Sequence, residues 1–165
     1  MNNQNNASQQ LKKELATLLT KSHAHVSFDD AIKDIPFEDL GKKPNGVPYS
    51  IWQQVEHIRI AQKDILDFSV NKNYRELNWP ADYWVEEAAP TDEAAWNESI
   101  GKIQSDLNAF IECLQHVDDV YAPFKHGSGQ SWLREALVLF DHNSYHLGEI
   151  IALRRLLDNW KSEVR

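Results

Sequence analysis

A single cysteine, Cys113, stands in a chain of 165 residues, and no stretch of the sequence is apolar for as long as a membrane crossing requires. One cysteine excludes a disulfide within the chain, which suits a reducing compartment. A spanning helix needs about 20 predominantly apolar residues, and none of the runs here comes near that. The opening MNNQNNASQQ lacks the apolar stretch of a secretory leader, so a cytoplasmic location is the expectation. Basic clusters are also missing. With 17 Lys and Arg against 25 Asp and Glu, the formal net charge is −8, and such a chain repels phosphate backbones. Neither nucleic acid nor a membrane is therefore expected as a partner. The Gly-Ser-Gly at 127–129 belongs to no phosphate-binding Gly-x-x-x-x-Gly-Lys loop, and no Gly-x-Ser-x-Gly elbow presents a nucleophilic serine.

What remains has the composition of a globular protein, with 42% hydrophobic and 25% charged residues. A chain of this length makes one ordinary domain, and burying roughly 70% of its unfolded surface gives it a core without any staple. Residues 1–7 are rich in Asn and Gln and read as a loose tail, so the domain is expected over 8–160. Ser8 is a candidate N-cap for a helix carrying Leu11, Leu15, Leu18 and Leu19 at i, i+4, i+7 and i+8, ending near Lys21 or Ser22. Pro36, Gly41, Pro44, Asn45-Gly46 and Pro48 punctuate 23–48, leaving room for a short turn around Ala31 to Lys33. With Pro48 at its start, a second long helix follows over about 49–69 on Ile51, Val55, Ile58, Ile65 and Phe68. Residues 70–90 form a long loop with enough aromatics to pack itself down. Thr91 with Asp92 and Glu93 opens a third helix that Trp96, Ile100, Ile103, Leu107, Phe110, Ile111 and Leu114 carry to His116. A fourth runs from about Ser131 to Asp158, with Trp132, Ala136, Leu139, Ile150 and Leu153 on one stripe. Four helices and no strand pattern predict an all-α four-helix bundle, and the long loops after the first and second helices allow crossovers.

The chemistry rests on histidines. His142 and His146 are four apart and share one helix face with Leu139 and Leu153, so both rings point along a stripe that should face the core. Two readings stay open on spacing alone. The pair is either buried and hydrogen-bonded to neighbours, or it presents two imidazoles to one metal ion. His57 lies midway along the second helix at the edge of its apolar face and admits the same two readings. His25 and His23 precede Ser27, Phe28, Asp29 and Asp30 in the first loop, where surface histidines are common. His116 suits the C-terminal end of a helix dipole, and His126 beside its Gly-rich turn has no evident partner. Cys113, between Ile111 and Leu114, reads as a core thiol. Glu149, three residues after His146, is a candidate to orient a ligand ring, as are Glu56 and Asp141.

Four stretches together resemble one family. Gly46-Val-Pro-Tyr-Ser-Ile-Trp-Gln-Gln-Val-Glu-His57-Ile-Arg-Ile-Ala-Gln is similar to the second helix of the DinB-like family, and Phe140-Asp-His142-Asn-Ser-Tyr-His146-Leu-Gly-Glu to its closing helix. Ala24-His25-Val-Ser-Phe-Asp-Asp and Leu77-Asn-Trp79-Pro80-Ala-Asp-Tyr83-Trp84 match its two long loops. The resemblance implies a DinB-like four-helix bundle, usually dimeric, in which His57, His142 and His146 bind a divalent metal, zinc or nickel. It implies either a metal-dependent enzyme of hydrolase type or a low-molecular-weight thiol S-transferase, with a small molecule or a thiol cofactor as partner. A non-catalytic bundle that binds a ligand or only dimerises is the rival class. One departure is visible: Tyr49 stands where members of this branch often carry His, which would give the pocket a phenol in place of an imidazole. Tyr49, Glu149 and His25 are thus the expected lining around the three ligands.

Overall fold

The computed structural model describes residues 2–21 and 24–160, so Ser22 and the candidate His23 lie outside the described residues. Among those described the chain is all-helical, with five α-helices and no strand. They are α1 (Asn2–Thr20), α2 (Phe28–Ile32), α3 (Ile51–Val70), α4 (Glu93–His116) and α5 (Trp132–Leu156). None is long and apolar enough to cross a membrane.

Side-chain caps set most of the helix starts. Ser50 caps α3 in a full capping box: its hydroxyl accepts the Gln53 N–H at 3.2 Å, and the Gln53 carboxamide accepts the Ser50 N–H at 3.2 Å. Ser27 and Ser131 cap α2 and α5. Asp92, rather than the expected Thr91, caps α4 by accepting the Ala95 N–H at 2.8 Å. A carboxylate also complements the positive end of the helix dipole, which a hydroxyl does less well. The first helix departs further from expectation. It begins at Asn2, so Ser8 lies inside it and the Asn/Gln-rich stretch belongs to the helix instead of forming a loose tail.

The four long helices pack in pairs. α3 lies against α4 and α5, and α1 lies against the same two, which sets α1 across from α3 and α4 across from α5. The chain between α1 and α3 therefore crosses the assembly, as its length allowed. The long loop at 71–92 does not cross: it joins the neighbours α3 and α4, and the second crossing falls at 117–131 instead. Freed from spanning the assembly, the loop 71–92 is available to fold back over α3.

The interior has two apolar clusters with a polar layer between them. Leu15, Leu66, Phe110, Leu114, Val120, Trp132, Ala136 and Leu139 form one cluster. Leu40, Ile51, Val55, Ile58, Ile103, Ile150 and Leu153 form the other. Between them α3 and α5 bury Gln54, His57, Gln62 and His146, with Glu56 and Ser99 beside them. Partners pair the Gln62 carboxamide, the Glu56 carboxylate and one nitrogen each of His57 and His146, as burial demands. Glu56 takes the Arg59 guanidinium on both oxygens, at 2.8 and 2.7 Å, and the Ser99 hydroxyl on one. Burial pushes its carboxyl up, but the hydrogen bonds from Arg59 and Ser99 outweigh it and hold the pKa below the ordinary value. At the far end, buried Lys12 of α1 donates to the carbonyls of Gln115 and Val117, capping the negative end of α4.

Ser50 joins two of these features, because its hydroxyl also donates to the Ala88 carbonyl and ties the loop to the start of α3. Ser50→Ala is expected to cost about 1–2 kcal/mol, the usual loss for a side-chain cap. Urea unfolding should show a lower midpoint at an unchanged slope, and an unchanged midpoint would contradict the assignment.

Candidate metal centre

His57 sits near the middle of α3, with His142 and His146 one turn apart on α5. Because those two helices pack against each other, the three rings meet. Their ligand nitrogens all lie within 4.8 Å of one another. His57 is 2% exposed and His146 7%, while His142 is half-buried.

The hydrogen bonds decide which nitrogen of each ring is free. His57 Nδ1 lies 2.8 Å from the backbone carbonyl of Tyr83, which can only accept, so Nδ1 carries the proton and Nε2 keeps its lone pair. His146 Nδ1 donates to the Gln54 Oε1 at 2.7 Å. For His142 the tautomer follows from a chain of carboxamides. The Ile103 carbonyl accepts from Gln62 Nε2 at 2.5 Å, which turns Gln62 Oε1 toward Asn143. Asn143 Nδ2 donates to that oxygen at 3.0 Å, which turns Asn143 Oδ1 toward His142 Nδ1 at 3.3 Å. Two backbone carbonyls and three carboxamides thus leave three Nε2 lone pairs facing one space. His57 Nε2 and His142 Nε2 are 3.0 Å apart. With both Nδ1 positions protonated, neither Nε2 has a hydrogen to offer the other unless a buried ring becomes cationic.

Burial opposes that charge. It lowers the pKa of all three rings, the Tyr83 and Asn143 hydrogen bonds pulling the other way for His57 and His142. His146 falls furthest, to about 3, through burial and then the neighbouring His142 and His57. Three neutral imidazoles with converging lone pairs suit a divalent cation. Zinc–nitrogen bonds of about 2.0–2.1 Å at a tetrahedral angle set neighbouring nitrogens roughly 3.3 Å apart, close to the separation of the His57–His142 pair. The residues present therefore fit a metal ion, and the donor set, without thiolate or carboxylate, does not distinguish zinc from nickel.

Aromatic rings wall the centre. Trp84 lies flat on His57, with centroids 4.0 Å apart and planes 4° from parallel, and Tyr49 stacks on the other face of Trp84 at 3.7 Å. Tyr49 thus reaches the centre through Trp84 and does not stand among the three histidines. Two exposed rings flank the histidines: Trp79, 72% exposed, is 6.5 Å from His57, and Tyr145, 64% exposed, is 4.9 Å from His146. Glu149 is half-buried on α5, but the acceptors at the three Nδ1 atoms are the Tyr83 carbonyl, Asn143 and Gln54. His25 is exposed, with its Nδ1 on the Val26 carbonyl. It lines a separate cavity of about 370 Å³ with Phe28, Phe140, Gln62 and Asn143. His126 has a partner after all: its Nε2 donates to the Phe68 carbonyl at 2.7 Å and its ring stacks on Phe124. His116 donates back to the Glu112 carbonyl at 2.7 Å and closes α4.

Gln54, Gln62, Asn143, Tyr83 and Trp84 lie inside the stretches that carry the family resemblance, but none of them takes an individual role from the sequence. A signal existed for the two glutamines: Gln54, Ile58 and Gln62 recur at i, i+4 and i+8, which puts two carboxamides on a buried face. Comparison with family models, curated proteins and solved structures found no match to the chain.

The depressed histidines make the metal-free protein sensitive to acid. The unfolded chain takes up these protons near the ordinary value of 6.5, and the folded chain does not, so the unfolded state binds more protons below that pH. Stability is fully present above about pH 6.5 and is lost as pH falls toward the folded values, the lowest of them about 3. Urea unfolding of the metal-free protein should show a lower midpoint at about pH 5 than at about pH 7.5, and His146→Gln should reduce the difference. Equal midpoints for the unmutated chain at the two pH values would contradict the buried, neutral assignment.

Proposed function

We propose that this chain is a DinB-like four-helix bundle in which His57, His142 and His146 hold a divalent metal, zinc or nickel, and that it is a metal-dependent enzyme of hydrolase type. The observation that carries the reading is the commitment of all three Nδ1 atoms to acceptors, which leaves the Nε2 lone pairs converging. Structural zinc sites are usually closed by four protein ligands with cysteine among them, whereas three histidines leave a position for water or substrate, as in catalytic sites. When bound, a divalent ion supplies Lewis acidity, which makes water a nucleophile near neutral pH.

The chain's own residues do the rest. Tyr83, Asn143 and Gln54 hold the rings in one tautomer, so no ring has to turn or exchange a proton before it can act as a donor. Trp84 covers one face of His57 and keeps water from that side. Trp79 and Tyr145, each beside a ligand ring and each exposed, give the approach to the centre an apolar, aromatic border.

Titration of the metal-free protein with zinc and with nickel, followed by calorimetry, tests the reading. His57→Ala, His142→Ala and His146→Ala should each remove binding at micromolar metal, while His126→Ala should leave it intact. Binding by none of the unmutated samples would reject the metal centre, and the enzyme with it, in favour of a non-catalytic bundle. Equal binding by all four variants would show that the metal sits elsewhere.

A further inference from the structure

Asp64 is seven residues beyond His57 on α3, so the two share one face of that helix, two turns apart. The loop 71–92 folds back over this face. Asp64 receives it at two points, one on each carboxylate oxygen: the Tyr74 hydroxyl donates to Oδ1 at 2.7 Å and the Tyr83 hydroxyl to Oδ2 at 2.6 Å. The salt bridge of this helix turn goes elsewhere, from Lys63 to Asp67. A carboxylate with two phenols accepts two charge-assisted hydrogen bonds, which are shorter and stronger than neutral ones. Both phenols are pushed above their ordinary pKa, first by burial and then by Asp64 itself, so they remain donors at any ordinary pH.

Tyr83 is consequently fixed to α3 at both ends. Its hydroxyl is held by Asp64, and its backbone carbonyl accepts from His57 Nδ1 at 2.8 Å. The next residue, Trp84, lies flat on the His57 ring. Other contacts place the neighbouring chain: the 3-10 turn Ala81–Tyr83, the Asn78–Asp82 contacts that close it, the stacked Trp84 and the Gln53 carboxamide on the Val85 and Glu86 carbonyls. The hydroxyl bond to Asp64 is the one hydrogen bond found for the Tyr83 side chain among the described residues. The carbonyl that orients His57 is thus anchored in part by a carboxylate that never touches the ring.

We infer that Asp64 is a positioning residue for the metal centre: by clamping Tyr74 and Tyr83 it holds the Tyr83 carbonyl against His57 and so fixes the nitrogen that His57 presents. The inference rests on the metal reading for its effect on affinity, but its effect on the His57 proton stands without metal.

The test has two arms, run on the full chain. In the first, zinc affinity is measured by competition with a chelator. Asp64→Ala and Tyr83→Phe should each weaken binding on the order of tenfold, the lower end of what loss of a ligand's hydrogen-bond partner costs. The double variant should bind no more weakly than either single one, because both changes break the same link. Tyr74→Phe, which leaves the Tyr83 link in place, should stay near the unmutated affinity. In the second arm the metal-free protein, labelled with nitrogen-15 in histidine, is examined by NMR. The His57 Nδ1 proton should give a resolved, slowly exchanging signal that is lost in Asp64→Ala and Tyr83→Phe and kept in Tyr74→Phe. Tyr83→Phe removes one hydroxyl, so this arm survives if Asp64→Ala fails to fold. A His57 signal as strong in Tyr83→Phe as in the unmutated chain overturns the inference. If the unmutated protein binds no zinc, the metal reading fails, and the NMR arm alone decides the role of Asp64.

Discussion

An imidazole taken out of water has two nitrogens to satisfy, and between two apolar clusters little solvent reaches them. The protein satisfies one nitrogen on each of three rings and leaves the other three facing one another. Much of the neighbouring structure follows from that half-met demand. The Tyr83 carbonyl must reach α3, which requires the loop 71–92 to lie over the helix instead of projecting from it. Asn143 must turn its oxygen to His142, which requires Gln62 to be turned in its place, and Gln62 is set by the Ile103 carbonyl on a third helix. A mid-helix carbonyl normally spends itself on the N–H four residues on. Its second lone pair is what lets α4 define a tautomer on α5.

The polar layer is a cost to the fold and a source of its specificity. Gln62 is fully buried, and moving a carboxamide out of water without partners would be unfavourable by several times the net value of a hydrogen bond. Here both ends of the amide are paired, so the penalty is offset only in one register of α3 against α4 and α5. Sliding α3 by a turn would leave Gln54, Gln62 and His57 unpaired together. The apolar clusters on either side tolerate small shifts, since hydrophobic contact is not directional. Register is thus a property of the carboxamides and stability a property of the clusters.

These two contributions were not equally legible in the sequence. The apolar periods of α3, α4 and α5 located three long helices to within a few residues, because a helix that buries one face must repeat its hydrophobic residues every turn. The start of α1 was missed for the same reason: an Asn/Gln-rich turn buries nothing and leaves no period to read. The spacing of His142 and His146 put them on one face, but nothing in a spacing states whether a third ring from another helix arrives. That depends on which helices are neighbours, and loop length misled there, since 71–92 joins adjacent helices while 117–131 makes the crossing. The wall residues were least visible. Tyr83 and Trp84 stand in and just after a short 3-10 turn, outside the long helices, where no period assigns a direction. His126 shows the converse case: a histidine with no partner in its own segment is satisfied by the Phe68 carbonyl from the end of α3.

The same geometry explains why the three rings can be neutral without being idle. A buried histidine serving only structure gains from pairing both nitrogens, and His116 and His126, each with one ring nitrogen on a carbonyl, lie near the surface where water can take the other. His57 and His146 have no such outlet, and their burial holds them below the pH at which they would take a proton and repel each other. Protonation would relieve the unpaired nitrogens one at a time, but each added charge would raise the cost of the next. A cation shared by all three relieves them together without charging any ring. Ligands that bind only the folded state stabilise it by mass action, so an arrangement that leaves three lone pairs unmet in the free protein is the one that gains most from a shared cation.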